Sequence, residues 1–211
     1  MIDGRYSARL NRVWEALGAG LARAGWSPNA VTLTGFALVV AASAAYVVHR
    51  SELAYALCLA VAFSFDGLDG AVARLTGRAT RFGGYLDAVT DRYQEIIVFA
   101  AIAWVRDLWP LCFLVLSGAL LTSYNKARVA LEIPVDNAAW PDLIERLERI
   151  VLTIALLLAY ALFAPPAAWP WSILASGLLV LGVLSHLTAL QRFLRARARI
   201  LQQNGKPPPR Q

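Results

Sequence analysis

Charge is scarce in this chain. Only 16% of its 211 residues are Asp, Glu, Lys or Arg, while 58% are hydrophobic. That is too little charge to clothe an ordinary soluble domain. Cysteine is nearly absent as well. Cys58 and Cys112 each sit inside an apolar run, and they read as small apolar filler rather than as a disulfide or a metal site. No internal repeat is visible. No cleavable signal peptide precedes the first apolar run, so that run is expected to stay as a membrane span.

The apolar residues are gathered into blocks at about 30–49, 53–65, 92–105, 108–125, 150–164 and 169–190. Blocks of this length suit a bilayer. The predicted fold is all-α and integral to the membrane, with six transmembrane helices within 29–195. Before them, Tyr6, Leu10, Val13, Trp14, Leu17 and Leu21 recur at helical spacing among arginines. This pattern predicts an amphipathic helix over 5–24 lying in the membrane interface. Residues 1–200 are expected to form one membrane domain and 201–211 a disordered tail.

Net charge is +6. Its carriers flank the apolar blocks, so membrane lipids and anionic ligands are the expected partners, and nucleic acid is not. Most arginines and lysines fall at one set of block ends, leaving Arg50 and Arg106 on the other. Both termini and the loops 75–82 and 126–145 are therefore expected to face the cytoplasm. Trp104, Trp109, Trp169 and Trp171 mark block ends as an aromatic belt would.

The informative stretch runs from Asp66 to Asp91. On a helix, Asp66, Asp69, Gly70, Ala73 and Arg74 share one face. On the next helix Gly83, Asp87 and Asp91 do the same. The connection near Gly77 is short, so the two helices are expected to be antiparallel neighbours. At 1.5 Å per residue, Asp66 and Asp91 each lie roughly 20 Å from the outer boundary. Four unneutralised carboxylates there would be very costly. Oxygen-only ligands in a group of four suit Mg²⁺ or a similar hard cation, two ions being expected. Gly70, Ala73 and Gly83 leave room for a bulky ligand near the backbone. Structural ion pairs, or an ion path through a transporter, are the competing readings.

The run Asp66-x-x-Asp69-Gly70-x-x-Ala73-Arg74, then Gly83, Asp87 and Asp91 at their spacings, resembles the motif of the CDP-alcohol phosphotransferase family at all eight fixed positions. The resemblance implies that fold, a homodimer, and two Mg²⁺ or Mn²⁺ ions held by Asp66, Asp69, Asp87 and Asp91. It also implies transfer of a substituted phosphoryl group from a CDP-linked alcohol to a hydroxyl, releasing CMP. Asp91 would be the general base. By the same resemblance Val31, Thr32, Leu33, Thr34, Gly70, Ala73, Arg74, Thr80 and Gly83 hold the CDP-lipid. For Thr32 and Thr34, hydrogen bonding back to helix carbonyls is the plainer alternative.

Ser123 to Arg128 and Glu145 to Arg149 resemble the branch making phosphatidylinositol phosphate or archaetidylinositol phosphate. There Lys126, Arg128, Arg146 and Arg149, joined by Arg192 or Arg195, would bind the phosphate of an inositol phosphate acceptor. Lys126 and Arg128 would otherwise be positive-inside anchors, and Arg149 could pair with Glu145 one turn away. Glycerol 3-phosphate is the rival acceptor. Members using it usually carry arginine where this chain has Gly35.

Overall fold

A computed structural model describes residues 4–133, 142–163 and 172–204. Among the described residues there are seven helices and no strand: α1 (Gly4–Arg23), α2 (Pro28–His49), α3 (Glu52–Thr76), α4 (Arg81–Arg106), α5 (Trp109–Val129), α6 (Arg146–Leu162) and α7 (Ile173–Asn204). The all-α class is as expected. Three helices are long and apolar enough to cross a membrane, namely α2, α3 and residues 173–202 of α7. The others fall short for visible reasons. The α4 helix carries Asp87, Asp91, Arg92 and Glu95. The apolar part of α5 gives way to Ser123-Tyr-Asn-Lys126. For α6, 17 residues are described.

The chain clusters into two compact units, residues 1–107 with 157–163 and residues 108–156 with 164–211. In the first unit, α2 packs against both α3 and α4, and α1 packs against α3. The α3 and α4 helices do not pack closely on each other, although a short loop joins them. The two share α2 as their common support. Trp14 and Leu21 of α1 pack on a core of Val31, Leu68 and Val72. A Cβ at Gly18 would lie 2.9 Å from that of Ala71, so the docking needs glycine there.

The helix ends follow local chemistry. Ser27 caps α2 by accepting from the Ala30 N–H at 3.2 Å, with Pro28 just inside the helix. At the end of α3, Gly77 adopts the left-handed region at φ 64°. The Arg78 N–H then closes on the Ala73 carbonyl at 3.1 Å. Thr80 caps α4 by accepting from the Gly83 N–H at 2.9 Å. Gly77 and Thr80 thus fix the reversal between the two carboxylate-bearing stripes.

A polar network anchors the other end of α3. Glu52 accepts from the Tyr46 hydroxyl at 2.9 Å and from Arg106 Nε at 2.7 Å. The Arg106 guanidinium also lies 4.7 Å over the Tyr160 ring. Tyr46 stacks on Tyr55, whose hydroxyl meets that of Ser43 at 2.8 Å.

In the second unit α5 packs along α7 through small residues. A Cβ at Gly118 would come within 2.9 Å of the His186 backbone nitrogen. This closeness lets polar groups join the helices. Ser117 meets His186 Nε2 at 3.1 Å, and Asn125 Nδ2 donates to the Ala189 carbonyl at 3.0 Å. The α7 helix continues to Asn204, so residues 201–204 of the expected tail are helical. Residues 205–211, Trp169 and Trp171 lie outside the described residues.

Candidate active site

A cavity of about 210 Å³ opens in the first unit where the beginnings of α2 and α4 face the later part of α3. Asp69, Gly70 and Ala73 of α3 line it, with Thr80, Gly83 and Asp87 from the start of α4 and Thr32 from α2. The first turns of two long helices therefore meet one cavity. Their dipoles and N–H groups favour an anion such as a pyrophosphate.

Thr32 Oγ1 donates to Asp69 Oδ2 at 2.5 Å, tying α2 to α3 inside the cavity. Asp69 is 8% exposed. Asp66 and Asp87 lie near enough for their charges to act on it. Asp66 and Asp91 are not among the lining residues. Asp91 Oδ2 lies 3.5 Å from Arg92 Nη2. Among the described residues, no three His, Cys, Asp or Glu side chains converge on one point as they stand. Asp66 and Asp69 stand on α3, and Asp87 and Asp91 on α4. Their donor chemistry fits a hard divalent ion: oxygen only, drawn from two helices, beside an open cavity.

The residues expected to hold the CDP-lipid are placed differently from one another. Val31 is buried in the core under α1. Leu33 is on an exposed face. Thr34 hydrogen-bonds back to the Ala30 carbonyl at 2.8 Å. Helical rotation leaves one residue of that quartet, Thr32, on the cavity side. Arg74 does not line the cavity, but its Nη1 would lie 3.3 Å from a Cβ at Gly70. Pro28, Asn29, Arg78, Ala79 and Gly84 also line it. The sequence signals for them are the Ser27-Pro28 helix start and the Gly77 reversal.

Gly83 leaves space that any side chain would take. Its Cβ would sit 3.1 Å from both Asn29 Oδ1 and Thr80 Oγ1. Gly83→Val should raise the KM for the cavity's ligand about tenfold or more, by crowding that rim. Steady-state kinetics of the variant check this, and an unchanged KM would remove the rim from the binding surface.

The basic residues form a separate set in the second unit. Arg128 pairs with Glu132, both about half exposed. That is the ordinary surface pair of neighbouring helical turns. Lys126 is half-buried. Arg149 is 2% exposed, too buried for a surface pair with Glu145. Arg146 is half-buried in the first turn of α6. Glu148 accepts from the Glu145 N–H at 3.1 Å and caps that turn. Arg192 donates from Nε and Nη2 to Asp142 Oδ2, and from Nη1 to the Thr122 carbonyl at 2.6 Å.

Comparison with known proteins bears on this geometry. Archaetidylinositol phosphate synthase of Pyrococcus horikoshii is 32% identical over 189 residues, covering 88% of this chain and 92% of that protein. Phosphatidylinositol phosphate synthase of Mycobacterium tuberculosis, solved with CDP-DAG bound, superposes with a TM-score of 0.74. The two are 31% identical, over 88% of this chain and 94% of that one. The same synthase solved with manganese and citrate also gives 0.74, at 31% identity over 87% of this chain and 88% of that one. The model of the CDP-alcohol phosphatidyltransferases matches residues 26–188, a stretch holding all eight motif positions and every residue of the cavity. This chain belongs to the CDP-alcohol phosphatidyltransferase family.

Proposed function

We propose that this transferase moves a phosphatidyl-type group from CDP-diacylglycerol, or its diether analogue, to a hydroxyl of inositol 1-phosphate and releases CMP. One observation carries the donor half. Two motif carboxylates from different helices, Asp69 and Asp87, line a single cavity with Gly70, Ala73, Thr80 and Gly83. The relative solved with CDP-DAG supports the same reading.

Asp66, Asp69, Asp87 and Asp91 would hold two divalent ions, Mg²⁺ or Mn²⁺, the latter being present in a structure of the relative. When bound, such ions neutralise the pyrophosphate and the charge developing on CMP. The starts of α2 and α4 add their dipoles to that stabilisation. Thr32 keeps Asp69 in place through its short hydrogen bond. Asp91 accepts the proton of the acceptor hydroxyl as its oxygen bonds to phosphorus and the bond from phosphorus to the CMP oxygen breaks. A single in-line displacement predicts inversion at phosphorus.

The acceptor is argued from charge. A phosphate dianion calls for arginine and lysine donors, which serine or choline would not need. Lys126, Arg128, Arg146, Arg149 and Arg192 supply them. The names of the relatives, archaetidylinositol phosphate synthase and phosphatidylinositol phosphate synthase, support an inositol phosphate. Gly35 weighs against glycerol 3-phosphate. A Cβ there would lie 2.9 Å from that of Phe65, so the arginine usual in those members has no room. Arg146→Gln should raise the acceptor KM about tenfold and leave the donor KM within about twofold. An unchanged acceptor KM would take Arg146 out of the site. Six spans, a homodimer and a plasma-membrane enzyme with a cytoplasmic active site complete the proposal.

The test is CMP release from CDP-diacylglycerol, and from a diether donor, with Mg²⁺ or Mn²⁺ in detergent. Inositol 1-phosphate, free inositol, glycerol 3-phosphate and serine are the acceptors. Release with inositol 1-phosphate alone is the expected result. Release with glycerol 3-phosphate or serine instead would overturn the acceptor assignment and keep the donor site.

A further inference from the structure

Arg192 is held in an unusual way. Its Nη1 is anchored on the Thr122 carbonyl at 2.6 Å, within the α5–α7 contact. Its other edge, Nε and Nη2, is the edge a guanidinium offers to two oxygens of an oxyanion. Both of those nitrogens converge on one oxygen, Asp142 Oδ2. Among the described residues, the second carboxylate oxygen, Oδ1, is buried and has no hydrogen-bond partner. Arg195 Nη1 lies 3.5 Å from it, also buried and, among the described residues, also without a hydrogen bond. The Asp142 side chain is 1% exposed and that of Arg192 is 8% exposed.

Two arginines thus flank a carboxylate that satisfies Arg192 but, among the described residues, leaves its own Oδ1 and Arg195 Nη1 without a hydrogen bond. Buried donors and acceptors left unbonded each carry a desolvation cost. A phosphate monoester has three terminal oxygens, enough to meet Nε and Nη2 of Arg192 separately and to reach Arg195. We infer that Arg192 and Arg195 form a phosphate seat occupied in this structure by the chain's own Asp142, which competes with the acceptor's phosphate and so sets the affinity for it. The inference rests on the acceptor reading proposed above. It makes Asp142 a specificity-determining residue: an anion must carry enough charge to displace a carboxylate, so a neutral alcohol gains nothing from the seat. The Thr122 anchor leaves Arg192 in position during the exchange.

Inorganic phosphate serves as the probe, because its binding does not depend on which alcohol is the true acceptor. In Asp142→Asn, the phosphate concentration giving half-maximal thermal stabilisation should fall about tenfold relative to the wild-type protein. Asp142→Asn combined with Arg192→Gln should lose that gain. An unchanged or weaker response in Asp142→Asn would overturn the inference and make Asp142 a simple brace for the arginines. If that variant does not fold, the wild-type protein decides. Hydrogen exchange at residues 142–145 should quicken when phosphate is added, because the carboxylate is released. Slower or unchanged exchange overturns the inference. Failure of the acceptor reading would appear separately, as no CMP release with inositol 1-phosphate.

Discussion

Alanine at Asp91 should lower the rate of CMP release by about a thousandfold or more. The CDP-lipid KM should change by less than about tenfold. The split follows from the role proposed for this residue. A general base engages the hydroxyl most strongly when the proton is leaving, so its loss falls on the transition state rather than on donor binding. The position fits this division, since Asp69 and Asp87 line the cavity proposed for the donor while Asp91 lies one turn beyond Asp87 and outside its lining. The fold should survive. Arg92, which meets Asp91 at 3.5 Å, also faces the buried Glu95 at 3.6 Å, so its charge keeps a partner. The check is steady-state kinetics in detergent, with donor binding measured in parallel. An equal loss of donor binding and turnover would make Asp91 a structural or donor-binding carboxylate instead of the base.

Replacing Arg106 with leucine should destabilise the protein by about 3 kcal/mol, seen as a lower thermal midpoint in micelles. Glu52 is the reason. Its side chain is 9% exposed and is neutralised by Arg106. Without that cation it keeps the Tyr46 hydroxyl and a buried charge. The cation–π contact over Tyr160 goes as well. Adding Glu52→Gln to the leucine variant should restore most of the loss, because a neutral pair carries no unpaired charge. A leucine variant with the wild-type midpoint would show that the network contributes nothing to stability. Catalysis in the surviving folded fraction should be nearly normal, since the network sits at the end of α3 remote from its motif.

Side-chain direction explains much of what the chain disclosed and what it withheld. The motif stripes were readable because a helix repeats every 3.6 residues, which puts Asp66, Asp69 and Gly70 on one face and Gly83 and Asp87 on another. The same periodicity limited the donor assignments. Four consecutive residues, Val31 to Thr34, cannot all face one cavity. Which one does depends on how α2 is rotated against its neighbours, a matter of packing. Arg192 is a second case. The family resemblance suggested an anion contact for it, but its partner Asp142 lies 50 positions away. No local spacing reports such a pairing.

By itself the sequence determined the helical class, the apolar blocks, the short connection near Gly77, and the eight-residue motif with the chemistry it implies. These depend on composition, periodicity and local hydrogen bonding. Tertiary structure alone decided that α2 braces both carboxylate-bearing helices, that Thr32 reaches Asp69, and that Glu52 and Arg106 close a network. It also decided that Asp142 fills the fork of Arg192. Each of these joins residues far apart in the chain, and such contacts are set by how whole helices pack, which no short stretch of sequence encodes.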